Sequence, residues 1–270
     1  MSPAADAAAA PYPPAVAPSR RILREGTFNA RDAGCYPVGP QGERRMVAGR
    51  FFRSDALSHL TPADVAEAGG LGIRLVVDLR DSHERDNAPD VQLPGAENIS
   101  VKLYEDTLLS YPADNFPSLP EFYGKILTTH RHKLIEAIDA VAQVLPAPVI
   151  VHCTAGKDRT GLVIAMIQDI SGVAHHRILE DYAASQQLLN GDFARRLEQL
   201  FLDAELDVRQ MGEPIAVPVS ELDATLHDLR TRYGSIAGYL EAGGLSRDSV
   251  ERLREHLVQD WPASNADARG

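Results

Sequence analysis

The sequence contains few cysteines and almost no tryptophan. Two cysteines, Cys35 and Cys153, and one tryptophan occur among 270 residues. Two cysteines are too few for a disulfide-stapled framework, so we expect free thiols, a reducing compartment and a fold held by an apolar core. Apolar residues make up 44% of the chain and charged residues 24%. This balance excludes a collagen-like or fully disordered chain.

Positive charge is also scarce. The chain has 27 Lys and Arg residues against 38 Asp and Glu residues, a formal net charge of −11. The average field of such a protein repels nucleic acid and anionic membrane surfaces, so we expect neither as a partner. An anionic ligand must then be held by a local concentration of positive charge.

Long hydrophobic runs are absent. The longest, at 73–77 and 162–167, fall far short of the roughly 20 residues that span a bilayer, so we expect no membrane insertion. Residues 1–19 are rich in Ala and Pro and lack the basic start and apolar stretch of a signal peptide. We expect a disordered leader there, one domain over 20–262 and a tail at 263–270. The location is then the cytoplasm, or outside the cell without a cleaved signal.

Apolar patterning predicts an α/β fold. Runs rich in β-branched residues at 73–79 and 149–151 are typical of strands buried on both faces. Weaker patterns predict strands at 27–34, 50–54 and 98–103 and a turn at 36–42. Helical patterns predict helices at 63–68, 120–144, 161–170, 174–189, 193–206, 220–233, 235–241 and 246–261. Because the strands precede residue 153 and helices follow it, we predict a single domain with a small mixed sheet flanked by helices.

The second buried run leads directly into the segment His-Cys-Thr-Ala-Gly-Lys-Asp-Arg-Thr at 152–160. A loop between a buried strand and a helix points backbone N–H groups inward, and the start of the helix adds partial positive charge. Arg159 can present two parallel N–H donors to a tetrahedral oxyanion. We therefore predict a phosphate cradle at this strand–helix junction, formed with Arg159 by Thr154, Ala155, Gly156, Lys157 and Thr160.

Cys153 lies at the base of the predicted cradle. The start of the helix, the inward amides and Arg159 all favour its thiolate, which makes it a nucleophile. Phosphoryl transfer to this sulfur and then to water follows. Gly156 lets the backbone turn without a Cβ, Thr160 can hydrogen-bond the sulfur, and His152 orients the loop. The alternative is an inert buried cysteine with an incidental arginine nearby.

The segment 152–160 resembles the signature of the cysteine-dependent protein tyrosine phosphatases. Its form, H-C-x-A-G-K-D-R-T-G, is similar to that of the bacterial family typified by mycobacterial protein tyrosine phosphatase B. Further segments resemble that family: Asn29 to Gly34, Arg53-Ser54, Asp78-Leu79-Arg80, and Tyr233-Gly234-Ser235 with Tyr239-Leu240. Cys35 stands where the family usually has a second glycine.

This resemblance implies a phosphatase fold with a mixed sheet, no metal or other cofactor, and helices over 193–233 that act as a lid. The alternative for 193–233 is a set of amphipathic helices packed on the sheet. It also implies activity on phosphotyrosine that can extend to phosphoserine, phosphothreonine and phosphoinositides. The expected partners are thus a phosphorylated protein or a phosphoinositide. Lys157, a second cation beside Arg159, either pairs with an additional phosphate on an inositol ring or tunes the potential of the loop.

The sequence leaves the identity of the general acid undecided among several aspartates. Many relatives supply it from a W-P-D loop, but the only tryptophan here is Trp261, at the far end of the chain, and 115–138 contains no aspartate. The resemblance points to Asp158, whose carboxyl group is favoured in its protonated form beside a bound phosphate. Asp78 and Asp81 are the reserve candidates. The alternative role for Asp158 is to stiffen the loop by pairing with an arginine.

Two further features and three rival functions remain. Cys35 is expected to be a small buried hydrophobe, with a disulfide to Cys153 as the alternative. The basic cluster at 130–133 is expected to form a solvated helix face, with contact to an anionic substrate as the alternative. The rival functions are a phosphoinositide phosphatase, a phosphate-binding module without turnover, and a rhodanese-like sulfur carrier.

Overall fold

A computed structural model describes residues 20–104, 118–189, 191–203 and 217–261. The expected leader at 1–19 and tail at 263–270 lie outside the described residues, and the domain boundaries stay predictions. The strands are β1 (Arg31–Asp32), β2 (Pro37–Val38), β3 (Arg44–Met46), β4 (Phe51–Ser54), β5 (Leu75–Asp78), β6 (Glu97–Ser100), β7 (Val149–His152) and β8 (Val258–Asp260). The helices are α1 (Pro62–Leu71), α2 (Ser82–Asn87), α3 (Leu119–Thr128), α4 (Arg131–Val144), α5 (Asp158–Ile170), α6 (His175–Ala183), α7 (Ser185–Leu188), α8 (Gly191–Asp203), α9 (Val219–Tyr233), α10 (Ile236–Glu241) and α11 (Arg247–Leu257).

The central sheet confirms the predicted mixed topology. Its five strands run in the order β1-β4-β7-β5-β6; β4, β7, β5 and β6 are parallel, and β1 is antiparallel at the edge. In the register, His152 of β7 lies opposite both Ser54 of β4 and Asp78 of β5. The carboxyl ends of three strands therefore meet at one edge, where ligands bind in open α/β sheets.

Two apolar cores cover the two faces of this sheet. Along β7, Val149 and Val151 face the larger core and Ile150 faces the smaller one. This alternation between two buried faces explains the unbroken apolar runs in the sequence. The larger core includes residues of α3, α4, α5, α9, α10 and α11, and the smaller one includes Ile22 and Leu23. Among the described residues, no helix is long and apolar enough to cross a membrane.

A second, three-stranded sheet has the order β2-β3-β8 and departs from the sequence prediction. The helix predicted over 246–261 ends at Leu257, and the next three residues form β8. The β-branched Val258 pairs with Met46, and Asp260 pairs with Arg44 at the free edge of β3. That edge offers strand hydrogen bonds that a helix could not use, so tertiary pairing overrides the helical pattern.

The helix predicted over 120–144 is two helices. The first, α3, starts with a capping box in which Ser118 and Glu121 exchange hydrogen bonds, and it ends at Thr128. The hydroxyl of Thr128 donates to the Gly124 carbonyl at 2.7 Å. The chain then turns at Thr129 and His130 before α4 begins. The apolar period continues across the break, which is why the sequence pattern does not show it.

Candidate active site

The loop between β7 and α5 places the predicted cradle at the carboxyl edge of the sheet. His152 ends β7 and Asp158 begins α5. Cys153 is buried, with 2% of its surface exposed, and Arg159 is buried in the first turn of the helix. The strand, loop and helix order predicted from the sequence is confirmed. The sulfur thus lies beside the positive end of a 13-residue helix.

Gly156 is required by close packing as well as by its backbone conformation. Its φ is +63°, and a Cβ at this position would lie 2.2 Å from the carbonyl oxygen of Ser54. The Gly156 carbonyl accepts hydrogen bonds from Arg53 Nη2 at 2.6 Å and from Asn29 Nδ2 at 3.0 Å. Asn29 also donates to the Ala155 carbonyl at 2.9 Å. Because C=O and N–H point in opposite directions in a trans peptide, these bonds turn the following N–H groups away from Asn29 and Arg53.

A buried ion cluster lies behind the loop. Asp181 of α6 bonds Arg53 Nη1 at 2.7 Å and Arg31 Nε at 3.3 Å, and both arginine side chains are almost fully buried. Burial would raise the pKa of Asp181, but the arginines outweigh it and hold that pKa well below its usual range. Burial, together with the charge of Arg53, lowers the pKa of Arg31 to about 10. Two buried arginines against one carboxylate leave surplus positive charge beneath the phosphate cradle.

Arg159 is held by a residue that sequence analysis missed. Glu84 of α2 accepts from Arg159 Nη1 at 2.6 Å and Nη2 at 2.7 Å, and the Thr154 hydroxyl also donates to it. Burial alone would raise the pKa of Glu84, yet Arg159 and Thr154 lower it to about 2. A guanidinium has five N–H donors. The pair with Glu84 therefore leaves Nε–H and a second N–H on each terminal nitrogen for a phosphate.

The two reserve aspartates each have another role in this structure. Both oxygens of Asp78 accept from Arg80, each at 2.9 Å. Asp81 is the N-cap of α2, where its carboxylate accepts from the Glu84 N–H at 2.9 Å. Burial raises the pKa of Asp81. Both carboxylates are therefore engaged within the chain, Asp78 by Arg80 and Asp81 by the start of α2.

His152 contacts acidic side chains and the loop backbone. Its Nε2 lies 3.1 Å from Asp90 Oδ2, and its Nδ1 lies 3.3 Å from the Cys153 carbonyl. Burial would lower the pKa of His152, but Asp90 and Asp78 raise it. Arg80 Nη2 lies 2.8 Å from Asp90 and 2.9 Å from Asp78. This guanidinium already occupies the space between the carboxylates where a cation would bind, so the cluster is an ion-pair network that fixes the end of β7.

Asp158, the acidic residue at the end of the loop, is accessible to solvent. Its side chain is 24% exposed, and its Oδ2 lies 3.5 Å from Lys157 Nζ. Its Oδ1 accepts from the Tyr182 hydroxyl at 3.3 Å, and Tyr182 in turn bonds the Tyr123 hydroxyl at 2.9 Å. Burial and the nearby Asp158 raise the pKa of Tyr182, so this phenol remains a donor. The predicted alternative, a pair with an arginine, is not among the contacts of the described residues.

Comparison with known proteins identifies the family. The sequence model described as the tyrosine phosphatase family matches residues 22–259. The chain belongs to this family. It is 30% identical to a protein of Nostoc commune named tyrosine-protein phosphatase, over 96% of this chain and 94% of that one. It is also 28% identical to the triple specificity protein phosphatase PtpB of Mycobacterium tuberculosis, over 86% and 97% of the two chains.

Among solved structures, that of P. aeruginosa TpbA in complex with pTyr matches with a TM-score of 0.32 and 17% identity, over 73% of this chain and 97% of that one. So distant a match adds nothing to the family assignment. As a member of the tyrosine phosphatase family, the chain is a protein-tyrosine phosphatase that works through a phosphocysteine intermediate. Membership of this family excludes the rhodanese-like rival.

Thr160 and Cys35 differ from their expected environments. The Thr160 hydroxyl is buried and makes no hydrogen bond to any described residue, Cys153 included. Cys35 is half-buried rather than buried, and its thiol lies 3.7 Å from Asp32 Oδ2. Burial and the charge of Asp32 raise its pKa to about 11. Its φ of +66° explains why a tyrosine phosphatase usually has glycine here.

The two cysteines are too far apart for a disulfide. Ala33 N–H donates to the Phe51 carbonyl, and Phe51 pairs with Val149. Cys153 lies four residues beyond Val149, about 13 Å along the strand at ~3.3 Å per residue. Cys35 continues in the opposite direction, because β1 is antiparallel to β4. A disulfide needs Cα atoms within about 7 Å, so the fold excludes this alternative.

The basic cluster at 130–133 is only partly a solvated face. His132 is exposed, and Lys133 pairs with Glu136 at 2.8 Å on the helix surface. The prediction is wrong for His130, which is buried. It is also wrong for Arg131, whose guanidinium lies over the ring of Tyr239 at 4.2 Å. The helical spacing correctly predicted the helix, but it could not show that this end of α4 packs against α10.

Proposed function

We propose that Cys153 is the nucleophile, Arg159 the phosphate-binding cation and Asp158 the general acid of this tyrosine phosphatase. The observation that supports this assignment is the position of all three at one strand–helix junction, with the surplus charge of Arg31 and Arg53 behind it. Thr154, Ala155, Gly156, Lys157 and Thr160 complete the phosphate-binding loop. His152 and Asp78 support it from β7 and β5.

The reaction proceeds in two steps. The Cys153 thiolate attacks phosphorus, the P–O bond to the tyrosine breaks, and Asp158 gives its proton to the departing oxygen. Asp158 then takes a proton from the water that attacks the phosphocysteine, and inorganic phosphate and the thiolate are released. Arg159 and the loop N–H groups hold the phosphoryl oxygens in both steps. The Tyr182 hydroxyl positions Asp158 by its 3.3 Å contact.

For the substrate we propose phosphotyrosine in proteins, with phosphoserine and phosphothreonine as further substrates. The breadth is supported by the name of the Mycobacterium tuberculosis relative, a triple specificity phosphatase. Phosphoinositides are less well supported, because Lys157 is largely buried and lies 3.5 Å from Asp158. Its charge is partly compensated there, which favours tuning of the loop over capture of a second phosphate.

For the lid predicted over 193–233, we propose that α8 covers the loop. The other described helix of this range, α9, packs into the larger core through Leu222, Leu226 and Leu229. Helix α8 contacts the chain next to Asn29, the residue that binds the phosphate loop. Phe193 packs edge-on against Phe28 at 5.7 Å, and Arg196 donates to the Gly26 carbonyl at 3.0 Å. The adjacent Asn29 binds two loop carbonyls. The remainder of the predicted helix, at 204–206, lies outside the described residues. Slower proteolysis of α8 in the presence of orthovanadate supports the lid, and an equal rate contradicts it.

We retain the boundaries 20–262 and a location in the cytoplasm, or outside the cell without a cleaved signal, as proposals. Proteolysis followed by mass spectrometry of the resistant fragment tests the boundaries. Fractionation of the source cells and their medium tests the location.

The roles are tested by phosphate release from wild type, Cys153→Ser and Asp158→Asn. We expect Cys153→Ser to bind substrate without turnover, which also separates an enzyme from a phosphate-binding module. We expect Asp158→Asn to lose about 10²–10⁴-fold on alkyl phosphates such as phosphoserine peptides, and far less on para-nitrophenyl phosphate, whose leaving group needs no proton. Full activity of Asp158→Asn on phosphoserine would remove this residue from the mechanism. Turnover of inositol lipids faster than of phosphopeptides would favour the phosphoinositide alternative.

A further inference from the structure

A cavity of about 470 Å³ is bounded by α3, the first residue of α4, α9 and Tyr239 of α10. Its volume lies within the range of small-molecule sites in proteins, about 300–1,000 Å³. Tyr123 contributes to its wall, and the hydroxyl of that tyrosine bonds Tyr182. No residue of the 152–160 loop lines the cavity, so it is a separate space from the phosphate loop, although the Tyr123–Tyr182 pair connects the two.

Arg131 lies in the wall of this cavity and has no acidic partner among the described residues. Its guanidinium lies 4.2 Å from the ring centroid of Tyr239 and 5.2 Å from that of Tyr233. Nε and Nη2 are buried and donate to no atom of the described chain. Arg131 is half-buried, and a partly enclosed charge without a counter-ion loses hydration that another group can compensate. A bound anion would supply that compensation.

Two helices and a turn fix the position of the guanidinium. The two tyrosine rings come from the end of α9 and from α10. Gly243 lies on a third side, where a Cβ would be 2.3 Å from Arg131 Nε. Because Nε and Nη2 are enclosed, Nη1 is the nitrogen left for a ligand. The guanidinium stacks on the two tyrosine rings and packs against Gly243, and these contacts hold it in place. They leave one terminal nitrogen of the guanidinium without a partner.

The other charges of the cavity restrict the ligand. Arg232 pairs with Asp228 at 3.0 Å, which leaves Glu221 and Arg131 as the unpaired charges among the charged lining residues. The cavity then carries no net charge, and two carboxylates would repel a polyanion such as an inositol polyphosphate. A single negative charge on an apolar body fits better, because Leu127, Leu229 and the tyrosine rings form much of the remaining wall.

We propose that this cavity is a binding site for a small carboxylate with an apolar body. The carboxylate accepts hydrogen bonds from Arg131 Nη1, and the apolar part packs against Leu127, Leu229 and Tyr233. The site does not depend on the proposed catalytic roles, so a binding measurement alone tests it.

The test is calorimetric titration of the full chain with 4-phenylbutyrate, with orthovanadate present at saturation to occupy the phosphate loop. The neutral amide, 4-phenylbutyramide, has the same apolar body and reports what the charge adds. We expect the carboxylate to bind at least tenfold more tightly than the amide. Arg131→Gln should remove this difference. Lys133→Gln should preserve it, because Lys133 lies on the same helix, pairs with Glu136 and does not line the cavity.

Equal affinity for the carboxylate and the amide, no binding of the carboxylate to wild type, or unchanged affinity in Arg131→Gln would overturn the proposal. Inorganic phosphate that displaces the carboxylate at equal concentration would contradict the assignment to a carboxylate with an apolar body. The ¹⁵N resonance of Arg131 Nε gives a second readout that needs no variant. Its shift during the titration should follow the calorimetric curve, and a resonance that stays fixed would contradict a contact at Arg131.

Discussion

Glu84 accepts hydrogen bonds from both terminal nitrogens of Arg159, at 2.6 and 2.7 Å. The carboxylate thereby fixes the plane of the cation that binds phosphate. It also places a negative charge next to an anion site, which weakens ground-state binding of phosphate. The pair therefore contributes to catalysis by orienting the Arg159 guanidinium.

Glu84→Gln should lower kcat by about tenfold to a hundredfold, because Arg159 loses its fixed orientation. KM for para-nitrophenyl phosphate should stay the same or fall, because the repelling charge is gone. Steady-state kinetics measures both constants. Asp86→Asn, an exposed carboxylate on the same helix, is the control and should change neither. A raised KM with unchanged kcat would mean that Glu84 serves binding rather than orientation.

Asp181→Asn should destabilise the fold by about 3–5 kcal/mol, because it leaves Arg31 and Arg53 buried without a counter-ion. Urea unfolding at neutral pH measures this loss. Asp228→Asn removes one partner of an exposed i,i+4 pair with Arg232 and should change stability by no more than about 0.5 kcal/mol. Equal effects of the two substitutions would contradict a buried cluster beneath the loop.

Tyr182→Phe should lower activity on poor leaving groups, because Asp158 loses the phenol that bonds its Oδ1. We expect a loss of about threefold to tenfold on phosphoserine peptides, since a hydrogen bond to a charged group contributes about 1 kcal/mol or more. The rate on para-nitrophenyl phosphate should change less. Tyr239→Phe, whose hydroxyl donates to the Leu127 carbonyl, is the control. A loss that is equal on both substrates would show that Tyr182 does not act through the acid.

Asp90→Asn should change the pH dependence of stability. Asp90 raises the pKa of His152 above its usual value near 6.5. In wild type, protonated His152 therefore contributes stability that is fully present below pH 6.5 and is lost as pH rises through the raised pKa. Without Asp90, burial lowers that pKa and only Asp78 still raises it, so protonation stabilises the fold less or destabilises it. The slope of stability between about pH 5 and 8 should then diminish or change sign.

Urea midpoints at several pH values measure this slope, and the NMR titration of His152 measures the pKa itself. The pair of His175 and Asp223, 2.7 Å apart on the surface, provides the control through Asp223→Asn. That variant should keep the pH profile of wild type. An unchanged His152 titration in Asp90→Asn would show that Asp90 does not set its protonation.

The sequence predicted the parts of this molecule that depend on local pattern. Two buried strands, the loop after Cys153 and the helix predicted over 161–170 follow from apolar runs and from residues adjacent in the chain, although the helix begins three residues earlier, at Asp158. Glu84 and Asp181 are distant in sequence from the loop and are two among 38 acidic residues. Only the sheet register and the packing of α2 and α6 bring them to Arg159 and Arg53, and no local signal marks that proximity.

The failures of the sequence prediction have the same origin. The 246–261 pattern is helical in its spacing, yet 258–260 pairs with a strand more than 200 residues earlier in the chain. The basic residues at 130–133 differ in burial because His130 packs against Tyr104 and Arg131 lies over Tyr239 of α10, while His132 is exposed. In both cases a distant segment decides the environment, and periodicity within one window contains no information about it.

The identity of the nucleophile is the central claim, and trapping of the intermediate tests it most directly. Wild type is mixed with para-nitrophenyl phosphate, quenched within milliseconds, digested and examined by mass spectrometry. The account predicts a phosphoryl group on the peptide that contains Cys153, and no phosphorylated peptide with Cys153→Ser. Phosphate attached elsewhere, or full turnover by Cys153→Ser, would contradict it.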